Sequence, residues 1–185
     1  MKHVRVYGGK RTGTNFLREL CIINLVDTKV YGGGFDWKHD VPKVHSRIKK
    51  NWSEIHPLII IKNPYSWWLS IQNWPKKEND IHETVAGYNA LYNRYKEFHL
   101  DKQKVWATSG IVRYEDLLET TEEVLQGIAD FIGTTLKDEF IIPNKVTDSD
   151  VFTKERKEFY LGGHSNETIA DEIDWDIMGY YGYKR

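Results

Sequence analysis

The residues best equipped for chemistry lie together near the start of the chain, in Val4-Arg5-Val6-Tyr7-Gly8-Gly9-Lys10-Arg11-Thr12-Gly13-Thr14-Asn15-Phe16-Leu17. A short apolar run passes into glycines, a basic pair and small hydroxyl residues, and a helical pattern follows. A strand that turns sharply into a helix leaves several backbone N–H groups without intrahelical partners, all aimed at one spot. Those donors and the positive end of the helix dipole favour an anion, most often a phosphate. Glycine lets the backbone approach closely, and Lys10 and Arg11 add positive charge. The alternative is a glycine-rich turn that binds nothing.

Gly8 and Gly13 have the G-x-x-x-x-G spacing of a nucleoside-triphosphate loop. That motif continues with Lys and then Ser or Thr, whereas here Thr14 and Asn15 follow. The lysine that would reach the β- and γ-phosphates is absent, which disfavours an ordinary ATPase or kinase. The charge sits before the second glycine instead, on Lys10 and Arg11.

Elements on both sides must hold this loop. Residues 3–7 read as a strand and 14–26 as a helix with Phe16, Leu20 and Ile23 on one face. Thr28–Tyr31 reads as a second short strand, closed by Gly32-Gly33-Gly34, and Phe35–Val41 as a loop over a site. Leu58–Lys62 is continuously apolar up to its lysine, as expected of a strand buried on both faces of a parallel sheet. Asn63-Pro64 ends it and opens a helix over 65–74. Ile81–Leu100 reads as a long helix with Ile81, Val85, Tyr88, Tyr92 and Tyr95 along a core-facing stripe. Val105 and Ile111–Tyr114 supply further strand. Thr120 and Glu123 form a T-x-x-E capping box for a helix that Gly133 stops, and short helices are expected over 154–161 and 165–180. Strands alternating with helices predict an α/β fold: a three-layer sandwich with a mainly parallel central sheet flanked by helices, P-loop-like, in one domain spanning 1–185. Ligands in such sheets bind beyond the carboxyl ends of the strands. The loop and Lys62-Asn63-Pro64 both fall there.

Composition narrows the classes. The chain has 185 residues, enough for a real core, and is rich in aromatics, with seven Trp and eleven Tyr. Its single cysteine, Cys21, lies in an apolar helical pattern and reads as a buried thiol, so the chain is not built for an oxidising compartment. The longest apolar run, Leu58–Ile61, is too short to cross a bilayer, and the chain enters a strand almost at once without a leader, so no membrane association and a cytoplasmic enzyme are expected. Net charge is −1 but uneven: residues 1–62 hold 12 Lys/Arg against 5 Asp/Glu, and residues 63–185 hold 14 against 22. The basic half contains the loop. Nucleic acid is not the expected partner, because no Lys/Arg run exceeds two residues.

Four segments, in order, resemble the sulfotransferases that use 3′-phosphoadenosine 5′-phosphosulfate (PAPS). Arg11-Thr12-Gly13-Thr14-Asn15-Phe16-Leu17 resembles the family's 5′-phosphosulfate loop, [RK]-S-G-T-[TN]-x-L. Lys43-Val44-His45 resembles the K-[TS]-H segment that carries the catalytic base in the cytosolic branch. Lys62-Asn63-Pro64 with Ser70 resembles the R-N-P-x-x-x-x-x-S element that holds the 3′-phosphate. Val112-Arg113-Tyr114-Glu115-Asp116-Leu117 resembles the family's Y-E-D-L. The set covers about residues 4–132. It departs from the pattern in Thr12 for serine, and in Lys62 for arginine, which keeps charge but loses the bidentate fork. The family's C-terminal R-K-G-x-x-G-x-W-K element cannot be read, its nearest counterpart being Arg156-Lys157 with Gly162-Gly163.

The resemblance implies sulfuryl transfer from PAPS, leaving PAP, to a hydroxyl or amine of a small-molecule or carbohydrate acceptor, with no metal. The protein's part is to position and neutralise. Arg11, helped by Lys10, would stabilise charge as it develops. Thr12, Gly13, Thr14, Asn15 and Phe16 would hold the 5′-phosphate, Lys62 and Ser70 the 3′-phosphate, and Tyr114 would sit by the adenine. His45 is the expected general base, with Lys43 beside it on the sulfuryl oxygens. Asp36, His39 and Asp40 are rival bases. Trp67, Trp68 and Trp74 could line an acceptor pocket, but read more readily as core. Two other readings stand: a P-loop nucleotide or small-molecule kinase, with Asp116 as its Mg²⁺ carboxylate, and a non-catalytic nucleotide- or nucleic-acid-binding module.

Overall fold

A computed structural model describes residues 1–31, 38–42, 55–73, 84–101, 109–143, 145–147, 150–151, 154–162 and 167–185. The sheet expected from the sequence is present. It has four parallel strands: β1 (Lys2–Gly8), β2 (Thr28–Tyr31), β3 (Ile55–Ile61) and β4 (Gly110–Arg113). Their spatial order is β2-β1-β3-β4. The register sets Val4 beside Val30 on one side and His56 on the other, and Ile60 beside Val112. The chain moves outward from β1 to β2, then returns to the other side of β1 as β3. The reversal makes the carboxyl ends of β1 and β3 the switch point of the sheet, where a crevice forms in open α/β folds.

Strand alternation sorts the apolar side chains into two layers. Val4, Val6, Leu58, Ile60 and Val112 face one side. They pack against α1 (Thr14–Asn24), α4 (Tyr114–Glu119) and α5 (Thr121–Ile132) through Leu17, Leu20, Leu117, Leu125 and Ile128. Tyr7, Ile59 and Ile61 face the other side, against α2 (Pro64–Gln72) and α3 (Val85–Leu100). That layer is aromatic: Trp67, Tyr88, Tyr92 and Tyr95 are all buried, and the Tyr88 and Tyr92 rings stack at 4.0 Å. Met178, Tyr181 and Tyr183 from α8 (Trp175–Tyr180) and the residues after it close the layer. Sheet and helix layers on both faces make the three-layer α/β sandwich. The remaining elements are β5 (Lys145–Thr147) paired antiparallel with β6 (Asp150–Val151), α6 (Lys154–Leu161) and α7 (Glu167–Ala170). Among the described residues, no helix is long and apolar enough to cross a membrane.

Several boundaries differ from the sequence reading, each for a local reason. Helix α1 stops at Asn24 because Leu25 turns extended and bridges to Leu136. The buried Asn24 amide then pins the segment after α5, donating to Ile141 O at 2.8 Å and accepting from Ile141 N at 2.7 Å. Tyr114 opens α4 and does not end β4. The expected capping box does not form. Thr120 closes the preceding helix instead, its N–H and hydroxyl both directed at Asp116 O, 2.9 and 3.2 Å away. Gly133 ends α5 as expected, in the left-handed region at φ 71. The expected helix over 165–180 is two helices, because Asp174 caps α8 by accepting from Ile177 N. Ile81, Trp74 and Val105 lie outside the described residues. Cys21 is fully buried against the sheet, and burial pushes its thiol up to about 12.

Candidate functional site

Gly8 through Gly13 form the loop between β1 and α1, held by its carbonyl groups. Gly8 O lies 2.8 Å from His39 Nδ1, and Gly8 N–H donates to Lys38 O. Gly9 O accepts from the Thr12 hydroxyl at 2.7 Å, Lys10 O from Trp67 Nε1 at 3.0 Å, and Arg11 O faces Lys62 Nζ at 3.5 Å. In a trans peptide the C=O and the following N–H point in opposite directions. Fixing the carbonyls therefore fixes the donors.

Two glycines are required by geometry. A Cβ on Gly8 would stand 2.6 Å from both Ile60 Cγ2 and Thr12 Oγ1. Gly13 has φ 93, and a Cβ there would stand 2.5 Å from the Tyr114 ring. Gly13 is also the N-cap of α1 and has no side chain to offer the first-turn N–H groups of Thr14, Asn15 and Phe16. Phe16 contributes only that backbone group, since its side chain is in the core. Arg11 also adopts a left-handed conformation, at φ 64, unusual for a residue with a Cβ.

The second half of the site is the β3–α2 corner. Asn63 caps α2, its Oδ1 accepting from Tyr65 N at 2.9 Å and Ser66 N at 3.4 Å, and Pro64 follows at the first helical position. The Asn63 N–H donates to Glu115 Oε1 at 2.9 Å, while Glu115 Oε2 accepts from the Tyr183 hydroxyl at 2.6 Å. Lys62 is 1% exposed. Its backbone is clamped by the tyrosine stripe of α3: Tyr88 donates to Lys62 O at 2.5 Å, and Lys62 N–H reaches Tyr92 Oη at 2.8 Å. Burial raises both phenols above their ordinary range, so they stay neutral donors. Lys62 Nζ lies 2.8 Å from Ser70 Oγ, 3.6 Å from the Tyr160 ring centre and 4.5 Å from that of Tyr114. Ser70 Oγ is also 2.9 Å from Tyr160 Oη. The buried Lys62 side chain thus lies against a hydroxyl and two ring faces, contacts that favour a cation.

The two halves meet through Lys62 and Arg11 O. The structure thus brings together the expected loop residues Lys10, Arg11, Thr12, Gly13, Thr14 and Asn15 with Lys62, Ser70 and Tyr114. Lys10 is buried, and Lys38 joins the loop by donating from Nζ to Asn15 Oδ1 at 2.6 Å. Lys43 and His45, the expected catalytic pair, lie outside the described residues, as does Asp36. Of the rival bases, His39 is held at Gly8 O, and burial lowers its imidazole to about 4. Asp40 is paired with Arg94. Asp116 sits 3.7 Å from Arg113 on a half-exposed surface.

Three participants were not legible in the sequence. Tyr160 on α6 covers Lys62 and Ser70 from 98 and 90 residues away along the chain. Tyr183 and Trp67 anchor Glu115 and the Lys10 carbonyl. Trp67 could be read as core, and it is, but nothing in its spacing announced the indole hydrogen bond. No protein-family model matches the chain, and no curated protein does either.

Proposed function

We propose that this protein is a PAPS-dependent sulfotransferase of the cytoplasm, transferring a sulfuryl group to a hydroxyl or amine of a small-molecule or carbohydrate acceptor. The observation that carries the reading is the buried Lys62–Ser70 pair joined to the Arg11 carbonyl, since PAPS differs from AMP, ADP and ATP in carrying a 3′-phosphate. One anion site made of backbone and a second made of buried polar side chains, at the two strand ends of the switch point, suit a ligand with phosphates at both 3′ and 5′ positions.

PAPS, when bound, supplies the sulfuryl group: a bond forms between sulfur and the acceptor oxygen or nitrogen, the bridging S–O bond breaks, and its electron pair leaves with the 5′-phosphate of PAP. The chain's own residues do the rest. The N–H groups of Gly13, Thr14, Asn15 and Phe16 hold the 5′-phosphate, with Thr12 bracing the loop through Gly9 O. Arg11 and Lys10 neutralise the charge that develops on the leaving oxygen. Lys62 and Ser70 would hold the 3′-phosphate, and Tyr114 would flank the nucleotide. His45 removes the acceptor proton and Lys43 supports the sulfuryl oxygens. The basic side chains suffice without metal, because a sulfuryl group carries less charge than a phosphoryl group.

Thermal unfolding with PAP tests this. Saturating PAP without Mg²⁺ raises Tm, and 3′-dephosphorylated analogues raise it less. No shift with PAP, together with a Mg²⁺-dependent shift by ATP, would establish the kinase reading instead. Binding that fades steeply with salt, without acceptor turnover, would point to a non-catalytic module.

A further inference from the structure

Lys62 and Ser70 are sealed from solvent, at 1% and 3% exposed. One side chain lies against both of their polar ends: Tyr160, next to the last residue of α6. Its ring centre is 3.6 Å from Lys62 Nζ and its hydroxyl 2.9 Å from Ser70 Oγ. A serine hydroxyl has one proton to give and two lone pairs to receive. Ser70 Oγ already has three partners: Lys62 Nζ at 2.8 Å, Ser66 O at 2.9 Å and Tyr160 Oη at 2.9 Å. A phosphate oxygen would need the one proton, which Ser66 O or Tyr160 Oη already engages. Bonded to both Nζ and Oγ, that oxygen would stand about 2.8 Å from each, against the ring and hydroxyl in contact with them. The pair therefore has an occupant, and it belongs to the same chain.

Among the groups around this pair, Tyr160 has the weakest support. Lys62 is clamped by Tyr88 and Tyr92, and Ser70 lies in α2 behind the Asn63 cap. The Tyr114 ring packs where a Gly13 Cβ would stand. Helix α6 has eight residues, too few to hold its shape without tertiary contacts. Among its described side chains only Tyr160 is buried; Phe159, with its ring centre 5.3 Å away, is 42% exposed. The Ser66 hydroxyl reaches the Tyr160 carbonyl at a long 3.4 Å. A short helix moored by one buried side chain opens at a smaller free-energy cost than the sheet beneath it. Tyr160 also lines a cavity of about 240 Å³ with Asn63, Ser66, Arg113 and Leu161, which gives the ring a place to go.

We infer that Tyr160 is an internal plug of the Lys62–Ser70 site, held in place by α6 in the free chain and displaced by a 3′-phosphate. The identity of the displacing group rests on the sulfotransferase reading; the plug rests on the contacts of Tyr160 itself. A ligand shifts such an equilibrium only by what it gains from the open form. A 3′-phosphate gains the Lys62 and Ser70 contacts. A nucleotide phosphorylated at the 5′ position alone can sit at the β1–α1 loop with the plug in place. Opening therefore counts against 3′-phosphorylated ligands only, and lowers their apparent affinity in proportion to the open fraction.

The test follows the full chain binding PAP and adenosine 5′-phosphate, by stopped flow and calorimetry, and the acylation of Lys62 in the ligand-free chain, by peptide mass spectrometry. In the wild type the rate of PAP binding levels off as PAP is raised, because opening limits it. Tyr160→Ala removes the plateau and tightens PAP about tenfold, with the affinity for adenosine 5′-phosphate unchanged. Tyr160→Phe deletes the contact with Ser70 and keeps the ring. It tightens PAP by less, and through a larger open fraction it speeds Lys62 acylation about fivefold. Lys10, buried in the loop, keeps its wild-type acylation rate in Tyr160→Phe. Weaker PAP binding in either variant would overturn the inference, by making Tyr160 a wall of the phosphate site. A wild-type rate that stays linear in PAP, an unchanged PAP affinity in the variants, equal tightening of adenosine 5′-phosphate, or unchanged Lys62 acylation in Tyr160→Phe would overturn it as well. Where Tyr160→Ala does not fold, Tyr160→Phe carries both measurements. If PAP fails to bind the wild type, the sulfotransferase reading falls, while the acylation contrast still decides the plug.

Discussion

The β1–α1 corner and the β3–α2 corner occupy neighbouring strand ends and both collect positive charge, but they are made differently. The first is a backbone device. Its donors are peptide N–H groups, its shape comes from Gly8, Gly13 and the left-handed Arg11, and nearly all of it lies within the nine consecutive residues from Gly8 to Phe16. The second is a side-chain device. Lys62, Ser70, Tyr114 and Tyr160 come from β3's end, α2, α4 and α6, and each is buried. A backbone site tolerates changes of side chain but not of conformation. A side-chain site should behave the opposite way, and the contrast can be broken by substitution.

The largest effect is expected at Gly13. Gly13→Ala meets both the φ of 93 and the Tyr114 ring, and should cost roughly 3–4 kcal/mol of stability, read from urea unfolding. A loss below about 1 kcal/mol would show that the loop can move, ending its status as a fixed backbone device.

Acidification tests the same corner through His39. Its folded imidazole is lowered by burial to about 4, against about 6.5 in an unfolded chain. Both states are neutral above pH 6.5, so this contribution is complete there. As pH falls from 6.5 towards 4, the unfolded chain takes up a proton that the folded one refuses, and stability declines by up to about 3 kcal/mol. Urea midpoints at pH 7.5 and 4.5 measure the decline. His39→Gln should remove most of it and leave the smaller share from His56, which burial also lowers.

Lys62→Met sharpens the other side. Similar volume and no charge should keep stability within about 1 kcal/mol, since a buried ion replaced by an apolar chain is often neutral, while PAP affinity falls about 100-fold by calorimetry. Unchanged affinity would make Lys62 a structural lysine under two tyrosines. At Arg11 stability and activity should part. Arg11→Gly relieves the left-handed strain and should gain about 1 kcal/mol, while turnover is lost. A variant that gains nothing would mean that Arg11 is not strained.

The same contrast explains what could be read in advance. The loop was legible because its geometry is local: glycine spacing and a strand-to-helix switch are written in adjacent letters. The parallel sheet was legible because Leu58–Ile61 is apolar on both faces and alternates with helical periods. Lys62 and Ser70 were recognisable as a pair, yet the eight-residue gap did not reveal that their polar atoms touch. Helix α2 turns Ser70 back towards its own N-terminal end, and the Tyr160 hydroxyl lies within hydrogen-bond distance of it. Tyr160 itself had no signal, because a contact across 90 residues leaves no period. Thr120 matched a capping box in letters, but the helix ending just before it claimed its hydroxyl first. The acidic second half of the chain contributes less by charge than by bracing: Glu115 ties Asn63 to Tyr183.

Cys21 gives the molecule a built-in clock. The chain's one thiol is sealed between α1 and the sheet, and its raised pKa leaves almost no thiolate at neutral pH. Alkylation must wait until that layer parts. The rate at which a thiol reagent labels this protein therefore counts core openings, and a ligand that bridges the loop at one end of α1 should slow the count in proportion to its grip.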